Sequence, residues 1–244
     1  PRTSAILATH VYGNPCDVVR IEEIAEKHDL KVIYDAAHCF GVELNGQSLL
    51  NHGDASTISF HATKLFHTIE GGAVVSKSLD VIKKVNKLRN FGHAGPDHFE
   101  GVGINGKLSE MHAAMGLANL KYIDSILEKR KRDFELYRAN LESSDLQIAI
   151  SNDENVKHNY SYFPILLQNE NECASLGEAL LRAGVQSRRY FYPLLSELDY
   201  VSKSEGLQIA IQESRRVMCL PLFYDLKEEE ITYICGVIKE RLAK

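Results

Sequence analysis

Lys64 follows Ser59 by five residues, and Asp35 closes an earlier apolar run, Val32-Ile33-Tyr34, so that an amine, a hydroxyl and a carboxylate can converge at one edge of a sheet. Those are the groups that pyridoxal 5'-phosphate requires: an amine for a Schiff base with its aldehyde, an anion to keep its ring nitrogen protonated, and donors for its phosphate. Lys64 is embedded in Ser59-Phe60-His61-Ala62-Thr63-Lys64-Leu65-Phe66, an apolar context in which an ammonium is costly. Burial of this kind favours the neutral, nucleophilic amine.

The elements that must position these residues follow from periodicity and turn chemistry. Residues 5–9 read as a buried strand, Gly13-Asn14-Pro15 marks a turn, and Val18, Ile21, Ile24 and Ala25 recur at helical spacing before a second strand at 30–34. Two short apolar strands joined by a helix form a βαβ unit, which implies a parallel sheet whose ligands gather at the carboxyl ends of the strands. Asp35 stands at such an end. Strand-like runs at 55–60 and 72–76 bracket the lysine loop, and Glu70-Gly71-Gly72 supplies the tight turn between them. Apolar steps of three and four from Leu108 to Leu141 predict one or two long helices, a bridge to a smaller α+β region with strands at 160–167 and 186–191 and helices at 172–183 and 227–242. Within the bridge, Lys129-Arg130-Lys131-Arg132 is hemmed by Glu128, Asp133 and Glu135 and reads as a solvated mixed-charge face.

Other chemistries fit less well. A net charge of −5 gives no basic field to hold nucleic acid. No apolar run approaches the roughly 20 residues that span a bilayer, and Pro1-Arg2-Thr3-Ser4 lacks the apolar stretch of a signal peptide, so the expectation is a cytoplasmic chain with no membrane partner. Five cysteines without a C-x-x-C read as reduced core thiols, and ten histidines without an H-E-x-x-H arrangement give no metal site. Gly101-Val102-Gly103-Ile104-Asn105-Gly106 matches G-x-G-x-x-G by letter, but no strand precedes it and the acidic residue at the right distance, Asp124, falls in the long helix. Its glycines are expected to shape a loop. Neither a P-loop nor a G-x-S-x-G elbow is present.

Taken in order, Thr9-His10-Val11-Tyr12-Gly13, Asp35-Ala36-Ala37-His38, Ser59-Phe60-x-x-x-Lys64, Glu70-Gly71-Gly72, Arg89-Asn90-Phe91-Gly92-His93, Asn105-x-Lys107-Leu108-Ser109-Glu110, Tyr190-Phe191-Tyr192-Pro193-Leu194 and Leu220-Pro221-Leu222 resemble the DegT/DnrJ/StrS-type sugar aminotransferases. The resemblance covers nearly the whole chain. It implies an α/β fold of the type I pyridoxal phosphate class, with a mostly parallel sheet, helices and a smaller carboxy-terminal α+β domain. It also implies a homodimer with active sites at the subunit interface. Lys64 would carry the cofactor, Asp35 would hold the ring nitrogen, Ser59 would bind the phosphate, and Asn105 would reach the phosphate from the neighbouring subunit. His38 stands where the family often has glutamine, near the ring, and either residue can offer a hydrogen bond. Lys107 replaces a frequent arginine with the same charge.

The domain expectation is 1–107 for part of a large cofactor-binding domain, 108–142 for a linking helical region and 143–244 for the small domain. A strand beginning so near Pro1 has nothing ahead of it to pair with, and the family's phosphate-cradling loop and ring-stacking aromatic lie upstream of the Asp-Ala-Ala motif. The expectation is therefore a chain lacking an amino-terminal portion. The function implied is amino transfer from glutamate to a nucleotide-linked keto-sugar. Retention of Lys64 favours this over the related dehydrating branch, which carries histidine at that position. The alternative is a non-catalytic remnant or interaction module of the same family.

Overall fold

The computed structural model describes residues 2–144, 146–202 and 205–243. In chain order its elements are β1 (Ala5–Thr9), α1 (Val18–His28), β2 (Lys31–Asp35), β3 (Glu43–Leu44), β4 (Gln47–Ser48), β5 (Ala55–Ser59), β6 (Gly72–Val75), α2 (Leu79–Leu88), β7 (His93–Gly95), β8 (His98–Phe99), α3 (Glu110–Leu120) and α4 (Ile123–Leu141). They continue with β9 (Gln147–Ile148), β10 (Val156–Lys157), β11 (Phe163–Leu166), α5 (Glu170–Arg182), α6 (Gln208–Arg216), β12 (Val217–Leu220) and α7 (Glu228–Leu242). The chain divides into two compact units, Pro1–Ile126 with Asn152–Asn159 and Leu127–Ser151 with Tyr160–Lys244.

The first unit is built on a four-stranded sheet in the order β1-β2-β5-β6. The first three strands run parallel and β6 closes the sheet antiparallel to β5. Helix α1 makes the right kind of crossover for two parallel neighbours. Asp17 caps its first turn by accepting the Arg20 amide at 3.1 Å, and Asp29, in the left-handed region at φ 53, ends it. Its apolar side, Val18 and Ala25 with the half-buried Ile21, covers one face of the sheet against Ile6, Ala8, Val32 and Tyr34. Burial alternates strictly along β2, the period-2 signature of a strand with one covered face. Strand β1 departs from the expectation of a buried strand: Leu7, on the opposite face, is 72% exposed.

The glycines of the 101–106 run shape a loop through close approach. A Cβ on Gly103 would lie 2.1 Å from the Gly92 nitrogen, and one on Gly92 would lie 2.4 Å from the Gly101 carbonyl. Only residues without a Cβ let these two backbone segments touch. The turn before β6 has the same requirement, since a Cβ on Gly72 would meet the Ile58 carbonyl at 2.6 Å.

In the second unit β12-β11-β9 form an antiparallel sheet whose two longer strands are buried at every position. Phe134, Tyr137 and Leu141 of α4, Cys173, Leu176 and Leu180 of α5, and Ile231, Ile234 and Ile238 of α7 are buried with them. The basic run of α4 is not the solvated face its charge pattern suggests. Asp133 is 0% and Arg130 8% exposed; Lys129 pairs with Asp133 and donates to the Leu226 carbonyl at 2.7 Å, while Lys131 and Arg132 face water. The strand expected at 186–191 is reduced to one bridge between Arg188 and Cys219. Arg189 there spends its guanidinium on the Arg215 carbonyl at 2.7 Å and the Tyr192 ring at 3.6 Å. The five cysteines are free, four of them buried. Among the described residues no helix is long and apolar enough to cross a membrane, and no group of three or more His, Cys, Asp or Glu could hold a metal ion.

Candidate active site

Three strand ends meet at the carboxyl edge of the parallel sheet. Thr9 at the end of β1 pairs with Asp35 at the end of β2, which pairs with Thr57 two residues before the end of β5. Each strand then feeds a short segment that carries one candidate group. After β2 the carboxylate of Asp35 turns back to accept the Ala37 amide at 3.0 Å, which fixes its direction without consuming its charge. Its backbone carbonyl accepts the His10 amide at 3.0 Å, tying the ends of β1 and β2 together.

After β5, Ser59 Oγ accepts the His61 amide at 3.3 Å, which leaves the hydroxyl proton available to donate to an anion. The chain then turns, the Lys64 amide donating to the His61 carbonyl at 2.9 Å. Leu65 and Phe66, which follow, are buried. Phe66 stacks on Phe40 at 4.4 Å and meets Phe60 edge-on at 5.1 Å, an aromatic cluster that roots the lysine loop. Lys64 is half-buried as a result, and its pKa is lowered by that burial, with the attraction of Asp35 acting in the opposite sense. The two groups are therefore within electrostatic reach of each other inside one unit.

His38 is 6% exposed and its pKa is lowered to about 4, first by burial and then by Lys64, with Asp35 opposing. The structure thus gathers Asp35, His38 and Lys64 into one electrostatic cluster, with Ser59 at the adjoining strand end. Asn105 makes its contacts elsewhere. Its backbone bridges Asn90 and its side chain accepts from Lys107 Nζ at 2.6 Å on an exposed loop.

Two residues of the cluster escape sequence reasoning. His10, 0% exposed, stacks on Tyr34 at 4.5 Å and accepts the Cys16 amide at 2.9 Å through Nδ1. Its position in Thr9-His10-Val11-Tyr12-Gly13, directly after a strand, was the available signal. Asn159 reaches the site from 121 residues beyond His38, and no local pattern marks it.

The donor set suits pyridoxal phosphate. A half-buried amine whose charged form is disfavoured, a strand-end carboxylate within its field and a hydroxyl with a free proton are what the aldehyde, the ring nitrogen and the phosphate need.

A family model described as the DegT/DnrJ/EryC1/StrS aminotransferase family matches residues 1–239. The chain is 40% identical over 246 residues to the dTDP-4-amino-4,6-dideoxy-D-glucose transaminase of Shigella dysenteriae, a match covering 98% of this chain and 67% of that protein. It is 38% identical over 255 residues to the protein of the same name from Escherichia coli, covering 98% and 66%. The crystal structure of DesI in the presence of its TDP-sugar product superposes with a TM-score of 0.91 at 30% identity, covering 100% of this chain and 64% of that one. The chain thus spans about two thirds of the length of its relatives. With a family match over almost every residue and 40% identity to a relative covered over two thirds of its length, the chain belongs to the DegT/DnrJ/EryC1/StrS aminotransferases.

Proposed function

We propose that this chain is the catalytic part of a nucleotide-sugar aminotransferase that moves an amino group from glutamate to a keto-sugar carried on a nucleoside diphosphate. The observation that carries this reading is Lys64: a half-buried amine at the carboxyl edge of the sheet, in the field of Asp35. The names of the Shigella and Escherichia relatives favour a dTDP-linked 4,6-dideoxy sugar aminated at C4. The active assembly is a homodimer in the cytoplasm. Within it the first unit, Pro1–Ile126 with Asn152–Asn159, holds the cofactor, and the second, Leu127–Ser151 with Tyr160–Lys244, is the small domain, so the bounds expected at 108–142 and 143–244 shift accordingly.

Pyridoxal 5'-phosphate, when bound, supplies an aldehyde that takes up amines and a ring that withdraws electrons from the carbon beside them. Lys64 would hold it through Nζ, Asp35 would keep its ring nitrogen protonated, Ser59 would donate to its phosphate, His38 would flank the ring, and Asn105 would serve the phosphate of a partner subunit. Lys64 Nζ would also be the base of the reaction. Burial makes its neutral form easier to reach, so it takes a proton from the amine-bearing carbon of glutamate. In the second half it delivers a proton to the ketone carbon of the sugar. Glutamate leaves as 2-oxoglutarate and the ketone becomes an amine.

The test is turnover of dTDP-linked 4-keto-6-deoxy sugars with glutamate, together with borohydride reduction and peptide mapping of the cofactor adduct. The adduct is expected on Lys64, and Lys64→Ala is expected to abolish both adduct and turnover while retaining the fold. An adduct on another lysine, or turnover undiminished in Lys64→Ala, would overturn the assignment.

A further inference from the structure

Tyr12 occupies the left-handed region at φ 59, ψ 11, an uncommon and strained place for a bulky side chain. In that conformation its amide donates to His38 Nδ1 at 2.9 Å, and its ring lies parallel to the imidazole with centroids 6.3 Å apart. Asn159 is 1% exposed and belongs to the same unit. Its Nδ2 donates to the carbonyls of His38 and Phe40, both at 2.8 Å. Gly13 completes the clamp: a Cβ there would lie 3.2 Å from the His38 carbonyl and 3.4 Å from Asn159 Oδ1.

An imidazole nitrogen that accepts an amide proton carries none of its own. Nδ1 is therefore the bare nitrogen, and the single proton of the neutral ring sits on Nε2. The charged groups whose fields reach this ring are Lys64 and Asp35. We propose that Tyr12 and Asn159 are positioning residues that lock His38 as a fixed Nε2–H donor to the cofactor held at Lys64. The donor's purpose rests on the aminotransferase reading, whereas the tautomer is a property of the chain alone. Glutamine reproduces the pair of contacts, its amide oxygen accepting from Tyr12 while its NH2 donates. Leucine keeps the bulk and offers neither.

Long-range 15N–1H correlation on histidine-labelled protein, without added cofactor, reads the tautomer directly. Nδ1 bare and Nε2 protonated, unchanged between pH 6 and 8, is the expected result, with Asn159→Ala releasing a mixture of tautomers. In turnover His38→Gln is expected to retain most of the rate and His38→Leu to lose about 10²-fold, the usual effect of deleting one positioned donor. A proton on Nδ1 in the wild type would overturn the inference whatever the activity. So would Asn159→Ala with wild-type tautomer and rate, or His38→Leu matching His38→Gln. A protein with the expected tautomer that aminates no keto-sugar would leave the clamp in place and remove the proposed activity instead.

Discussion

Acidification from pH 7 to pH 5 is expected to destabilise the first unit through two buried imidazoles, His10 and His38, each held at a pKa of about 4 against 6.5 for a free side chain. Burial is the main cause in both. The fields of His52 for His10 and of Lys64 for His38 add to it, and Asp35 opposes both. A folded-state value below the unfolded one means that the unfolded chain binds the extra proton, so stability falls as the pH drops from about 6.5 towards 4. At pH 5 nearly every unfolded imidazole is protonated and about a tenth of the folded ones, which integrates to about 2 kcal/mol per residue, or about 4 kcal/mol for the pair. The chain has no tryptophan, so urea unfolding followed by far-UV circular dichroism at pH 7, 6 and 5 is the suitable measurement. Carboxylates also titrate over this range, and the comparison with His10→Gln/His38→Gln removes their share. The double variant should be less stable at pH 7 yet lose about 4 kcal/mol less than the wild type on reaching pH 5. Parallel pH profiles for the two proteins would refute the reasoning, because the burial of two neutral imidazoles would then carry no linkage.

Three further outcomes are expected. Asp35→Asn should retain cofactor but lose up to about 10³-fold in rate, since about 4 kcal/mol of attraction for a ring cation at contact distance is removed; near-normal turnover would contradict the role given to this carboxylate. Gly103→Ala should destabilise by about 1–3 kcal/mol or more, because its Cβ would meet backbone at 2.1 Å, whereas Gly106→Ala meets its nearest neighbour only at 3.4 Å and should be far milder in thermal unfolding. Lys129→Met should cost about 3–5 kcal/mol by stranding the buried Asp133, and adding Asp133→Leu should recover most of it; a single variant as stable as the wild type in urea would show that this pair is not a buried one.

What the sequence made legible was local. Asp35, Ser59 and Lys64 could be located because strand ends and a tight glycine turn announce themselves in a few residues, and the βαβ unit follows from two periods in succession. The charged run of α4 misled because its pattern was read along the chain and not around the helix. Arg130, Asp133, Phe134, Tyr137 and Leu141 fall on one side at steps of three and four, so the polar pair enters the core with the aromatic rings. Asn159 could not have been found, since its partner carbonyls on His38 and Phe40 are brought to it by the fold and not by spacing. The strand expected at 186–191 failed for a related reason: the Arg189 guanidinium is drawn to the Arg215 carbonyl of another element, and the backbone pairing is confined to the Arg188–Cys219 bridge.

Register explains why the site exists where it does. Successive residues of a strand point to opposite faces, so the pairing of Thr9, Asp35 and Thr57 puts Asp35 on the face away from α1, while its neighbours Tyr34 and Ala36 are buried. A slip of one residue in β2 would swap those faces, burying a carboxylate under the helix and exposing Tyr34. The hydrophobic demand of the α1 side, filled by Val32 and Tyr34, therefore determines where the charge of Asp35 stands. The loop after β5 then needs only to bring one amine over the same edge. Phe60 and Phe66 meet edge-on and anchor that loop, and the amine it carries is half-buried. Packing and chemistry share one cause: the same alternation that closes the core on one face of the sheet presents the acid on the other.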